Sequence, residues 1–201
     1  KAHHDAASNE IVAKPASQFL WASNPKDGQS SAYGAPKGGQ GCDQYDSPLV
    51  LDLSPSHQGV TLGAPSPGVF DVDGDGAADR VAWVTSDETP FLALDANGNG
   101  VVDGIDELFG NRTRSPLGLR DSANGFEALA AWDDNRDGVI DASDPVWPRL
   151  RLWFDRNHDG RTDRGELVTL AARGIRSLSV SYVSVDEGLF AAGEIQGAVR
   201  Q

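Results

Sequence analysis

The chain has 201 residues, 39% of them hydrophobic, one Cys and a net charge of −13. A single Cys excludes an internal disulfide, and the acidic balance argues against nucleic acid, whose phosphates call for a basic surface. No stretch approaches the roughly 20 apolar residues of a membrane-spanning helix.

The chain opens on Lys and holds no Met. It is therefore expected to be a processed product or an excised piece, with any targeting signal outside it. Residues 1–46 are rich in Ala, Ser, Gly, Asn and Gln, and SNPKDGQSSAYGAPKGGQG reads as a flexible N-terminal extension or linker. IVAKPASQFLWA can form one short element there. His3 and His4 read as an exposed pair, and Cys42 as an incidental thiol. Residues 47–201 are expected to form the compact domain.

PLVLDL reads as a buried strand ended by SPSHQG. GVF enters a first acidic loop and RVAWVTS leaves it, so that loop joins two strands. FLALD is a strand into a second loop. SANGFEALAAWDD has helical spacing, with Phe126, Leu129, Ala130 and Trp132 on one face and Ser122 or Asn124 as cap. Ser143 or Asp144 followed by Pro145 suits a short helix start. LRLWF is a strand. RGELVTLAARG reads as a helix with Leu167, Leu170 and Ala171 inward and Gly174 as its stop. IRSLSVSYVSV and LFAAGEIQGAVR close the chain as a hairpin. The fold expected from these elements is α+β, with short strands and helices organised around several EF-hand-like calcium loops.

Those loops share one spacing: DVDGDGAAD from Asp71, DANGNGVVD from Asp95, DDNRDGVID from Asp133 and DRNHDGRTD from Asp155. Oxygens at positions 1, 3 and 5, a carbonyl at 7 and a carboxylate at 12 wrap a hard cation, and Gly at 6 allows the turn. Asp, Asn and Gly also build ordinary turns, but four copies at one spacing ask for more than turn chemistry.

The fourth loop is the fullest, with Asp155, Asn157, Asp159, the Arg161 carbonyl, Asp163 and Glu166. The third has Asp133, Asn135, Asp137 and the Val139 carbonyl, and ends in the shorter Asp144. The second has Asp95, Asn97, Asn99 and the Val101 carbonyl, and either Asp106 or Glu107 closes it. The first has Asp71, Asp73, Asp75, the Ala77 carbonyl and Asp79, but Ala82 stands at position 12. Its last ligand comes from elsewhere, with Asp87 and Glu88 as candidate donors, from water, or is missing; the alternative reading of this loop is an Asp-rich hairpin turn. Three or four Ca²⁺ are expected, with the fourth loop strongest and the first weakest. The gaps 83–94 and 145–154 are too short for two helices, and Pro90, Pro145 and Pro148 oppose them, so some loops are expected between strands.

PLVLDL, GVFDVDGDG, LALDANGNGVVDGIDELFGN, NGFEALAAWDDNRDG, LRLWFDRNHDGRTDRGELVTLAARGI and SLSVSY follow in that order. Over about residues 48–182 the chain resembles the calcium-binding, self-processing-type module of RTX-type secreted bacterial proteins. The resemblance implies an extracellular or cell-surface location on a Gram-negative bacterium. It also implies calcium-triggered cleavage of an Asp–Pro bond before the PLVLDL-like strand, with the freed Asp able to join a Lys amine. Here that bond is Ser47–Pro48, and Asp46 lies one residue early. Ser cannot supply the carboxylate that forms the anhydride, so the activity does not carry over. The chain's Asp–Pro pair, Asp144–Pro145, falls inside the third loop instead. SPSHQG replaces the further acidic run that often follows in the family, which leaves Asp52 without an extra site.

No GxSxG, HExxH or Cys–His arrangement indicates other enzymatic chemistry. The lack of Met argues against a sensor with a target groove. The reading is a non-enzymatic, secreted or surface calcium-binding module, structural or adhesive, that folds on binding Ca²⁺. Self-processing is the alternative. Expected partners are calcium and another surface or matrix protein, with no nucleic acid and no membrane span.

Overall fold

A computed structural model describes residues 11–15, 48–54, 70–72, 74, 76–79, 83–119, 122–185 and 190–195, with backbone alone for 11–15, 183–185 and 190–195. The linker sequence, His3, His4, Cys42, Ser47, Asp73 and Asp75 lie outside the described residues.

The strands are β1 (Ile11–Pro15), β2 (Leu49–Asp52), β3 (Phe91–Leu94), β4 (Val139–Asp141), β5 (Leu150–Trp153), β6 (Leu167–Thr169), β7 (Ser177–Ser179), β8 (Val183–Val185) and β9 (Phe190–Ile195). They pair antiparallel in a sheet ordered β6-β5-β3-β2-β1-β9-β8 and a two-stranded sheet β4-β7. Among the described residues one α-helix, α1 (Gly125–Ala130), and three single 3₁₀ turns accompany them. The expected α+β class is therefore wrong: among the described residues this is an antiparallel β fold with little helix.

Two local causes explain the difference. RGELVTLAARG forms β6 and a 3₁₀ turn at Leu170–Arg173, not a helix. Gly165 has φ 90°, which breaks helical propagation, and β-branched Val168 and Thr169 suit the strand that pairs with β5. The expected stop is kept, since Gly174 caps the turn at φ 76°. The second cause is spacing: entry and exit of three acidic loops pair directly with each other, leaving no length for flanking helices. Phe70 bridges Asp79, Ala93 bridges Leu108, and Trp153 pairs with Leu167. The expectation of strands around loops thus holds more widely than the helices allowed.

Helix α1 forms where its spacing places it. Asn124 caps it by accepting from the N–H groups of Phe126 and Glu127. Glu127 reaches back to the N–H of Ala123 at 2.9 Å, in the manner of a capping box.

The central strands β2 and β3 are buried on both faces. Alternation then sends Leu49, Leu51, Leu92, Leu94, Leu150 and Leu152 to one core and Val50, Phe91, Ala93 and Trp153 to the other. The first core includes Phe109, Phe126 and Ile140. The second is aromatic: neighbouring rings of Phe70, Trp83, Phe91 and Trp153 lie 5.0–5.8 Å apart, and Val72 of the first loop, Val102 and Ile105 of the second, and Leu167 just after the fourth close around it.

Candidate metal centre

The described residues of the four acidic loops share one backbone pattern. Position 4 is left-handed in each: Gly74, Gly98, Arg136 and His158 have φ of 74°, 75°, 60° and 58°. Position 6 is left-handed too, at Gly76, Gly100, Gly138 and Gly160. Two such residues in alternation coil the chain so that the amides after position 1 turn back on its carboxylate. In every loop the position-6 N–H donates to Oδ2 of the first Asp. The distances are 2.7 Å to Asp71, 2.9 Å to Asp95, 2.8 Å to Asp133 and 2.8 Å to Asp155.

The closing carboxylates repeat as strictly. Glu166 accepts from the N–H groups of Arg156 and Asp163, both at 2.9 Å. Asp144 accepts from Asp134 and Asp141, both at 3.0 Å. Glu107 accepts from Ala96 and Asp103, both at 3.0 Å. In each loop these donors stand at positions 2 and 9. Glu107 therefore takes the place in loop 2 that Glu166 takes in loop 4. Asp106 turns away and pairs with Arg114 at 3.2 Å.

Loop 1 is shorter. Asp79 accepts from the position-2 N–H of Val72 at 3.0 Å, so a carboxylate at position 9 does the closing and the chain returns at once through the Phe70–Asp79 bridge. Asp87 and Glu88 are both exposed.

Burial gives these carboxylates their energetic character. Glu107, Asp144 and Glu166 are 2%, 1% and 4% exposed, and their hydrogen-bond donors are backbone N–H groups rather than basic side chains. Burying an ionised carboxylate is costly unless charge and hydrogen bonds compensate it. Desolvation raises the Glu107 carboxyl above its usual value, against the lowering effect of its three backbone donors. Desolvation likewise raises Asp155, against the Gly160 and Asp159 amides and the Trp83 indole.

At the inner positions, Asn and Asp carbonyl oxygens accept from the residue two further on, as Asn97 does from Asn99, Asn135 from Asp137 and Asn157 from Asp159. Asn amides also tie the loops internally: Asn99 donates to Asp103 at 2.6 Å and Asn157 to Asp163 at 2.9 Å. Among the described residues no three His, Cys, Asp or Glu side chains converge into a ready metal cluster, because amide and backbone donors hold the carboxylates. The donor set is nonetheless all oxygen and suits a hard cation of flexible coordination such as Ca²⁺ better than a soft metal. On that chemistry the residues fit the ion.

Asp103, the last residue of DANGNGVVD, belongs to the shared loop spacing, and its N–H holds Glu107. Two supporting residues escaped the sequence reading. Trp83 donates its indole N–H to Asp155, and Thr162 bonds to Val102. Nothing in the local sequence pairs those.

Residues 49–197 match the SPM domain family. The chain belongs to that family. It is also 38% identical over 146 residues to the iron-regulated protein FrpA of Neisseria meningitidis serogroup C. That match takes in 72% of this chain but spans only 13% of the relative's length. The relative's name denotes iron regulation. The SPM domain described here is thus an RTX-related bacterial module, in keeping with the motifs that suggested it.

Proposed function

We propose that this SPM domain is a calcium-binding module, secreted or displayed on a bacterial surface, whose compact state depends on Ca²⁺ and whose role is structural or adhesive. The carrying observation is the set of three closing carboxylates, Glu107, Asp144 and Glu166, buried and held, among the described residues, by backbone N–H donors. Divalent cations would supply the missing positive charge, and the repeated loop geometry gives each a carboxylate at both ends of the loop. Seventeen of the 30 acidic residues fall in the four loops, so mutual repulsion loosens the chain without cations. Extracellular modules of this kind bind at about 10⁻⁴–10⁻³ M, which couples folding to calcium outside the cell. The same chemistry suits a spacer or adhesive segment of a longer protein that contacts another surface or matrix protein.

The test is thermal unfolding of the chain stripped of metal, then supplied with calcium, magnesium or chelator. At free calcium one hundred times the dissociation constant, one site adds about 2.7 kcal/mol, and several sites add more. Calcium should raise the melting temperature strongly and reversibly, and magnesium, which demands a tight octahedron, far less. Identical melting with calcium and with excess chelator refutes the proposal.

A further inference from the structure

Loops 2 and 4 touch through their eighth residues. The Thr162 hydroxyl oxygen accepts from the Val102 N–H at 2.8 Å and donates to the Val102 carbonyl at 3.2 Å. Sixty residues separate them in sequence. Val102 is 2% exposed and packs in the aromatic core with Trp153, which leads into loop 4. On either side of this contact the next residue holds a closing carboxylate: Asp103 N–H binds Glu107 and Asp163 N–H binds Glu166. An unbroken run of peptide units and hydrogen bonds therefore joins Glu107 to Glu166 through Thr162. Loop 3 is wired differently. Its eighth residue, Ile140, pairs with Leu178 of β7 and belongs to the other core.

We propose that loops 2 and 4 form one coupled pair of cation sites, with Thr162 as the positioning residue that carries occupancy from one to the other, while loop 3 fills independently. The proposal rests on the calcium reading above. Glu166 holding an ion would act on the Asp163 amide that it binds, and the adjoining Thr162 hydroxyl would pass that change to the Val102 peptide. That peptide sits between the Val101 carbonyl and the Asp103 amide, two groups that shape the loop 2 site. Discrete packing around the core makes such a shift a change between states rather than a gradual strain.

Amide NMR resolves the loops one by one, because Gly100, Gly138 and Gly160 each donate to the first carboxylate of their own loop. The full chain would be titrated with calcium alone, as parent, Glu166→Gln, Thr162→Val, Thr162→Ser, and Glu166→Gln combined with each Thr162 change. In the parent, Gly100 and Gly160 should respond together and cooperatively, with Gly138 on its own curve. Glu166→Gln should weaken the calcium affinity seen at Gly100 by about fivefold or more, the usual scale of site coupling. Thr162→Val should remove that cross-effect, whereas Thr162→Ser, which keeps the hydroxyl, should preserve it. An unchanged Gly100 affinity in Glu166→Gln overturns the coupling. So does a cross-effect that survives Thr162→Val. If Thr162→Val does not fold, the comparison of parent with Glu166→Gln still decides whether the loops are coupled, and loss of the cross-effect in the Ser combination overturns the role of the hydroxyl. If no glycine of the parent responds to calcium, the calcium reading falls and the coupling with it.

Discussion

Replacing Glu166 by Gln separates the loop's own hydrogen bonding from its use of a cation. Glu166 is 4% exposed, with one oxygen on the Arg156 N–H and the other on the Asp163 N–H. Gln keeps one acceptor and presents an amide NH₂ where the second stood, so one buried donor loses its partner. Such a loss costs about 1–3 kcal/mol. Neutralising Glu166 offsets part of this in chelator, because its charge repels Asp155 across the loop. The metal-free variant should therefore melt only a few degrees lower, at roughly 2–4 °C per kcal/mol for a chain of this size. In calcium the gap should widen well beyond that, since the variant also loses a charged, two-oxygen ligand. The assay is a pair of melting curves and a calorimetric calcium titration for each protein. Equal calcium affinity in the variant and the parent would refute both the role of Glu166 and the ranking of loop 4 as strongest.

Gly125→Ala should destabilise by about 1–3 kcal/mol in denaturant titration although Ala favours helices, because an added Cβ would meet the Phe109 carbonyl at 2.5 Å and Leu49 Cγ at 2.6 Å. Gly98→Ala meets no atom within 4 Å, so its cost, about 1 kcal/mol in the same assay, should come from φ 75° alone. Burial raises the Glu107 and Asp155 carboxyls in the folded chain, which therefore binds those protons more tightly than the unfolded chain does. That stability is present below the ordinary carboxylate range and lost as pH rises through the raised values, so in chelator the chain should melt higher at about pH 5 than at about pH 8. Mass spectrometry after prolonged exposure to calcium should find one intact species, since Ser47 offers no attacking carboxylate; a fragment beginning at Pro48 would contradict this.

The sequence alone determined the loops, the buried strands and the short helix. Their signals are local: a fixed order of Asp, Asn and Gly, short continuous apolar runs in LVLD and FLAL, and Asn124 before an apolar helical face. The same local signals pointed the wrong way at RGELVTLAARG, where helical spacing of Leu167, Leu170 and Ala171 lost to pairing with β5. Strand pairing is a property of two segments, and no single window contains it. Distance along the chain also hid the choice between Asp106 and Glu107, which depends on where the Ala96 and Asp103 amides come to rest. It hid the two long-range bonds around loop 4 as well, Trp83 to Asp155 and Thr162 to Val102, which exist only because the fold brings Trp83 and the second loop against the fourth. Sequence thus set which oxygens each loop offers. The tertiary structure decided which carboxylates are buried and which loops lie against one another, because burial and contact are made by residues that come together only when the sheet forms.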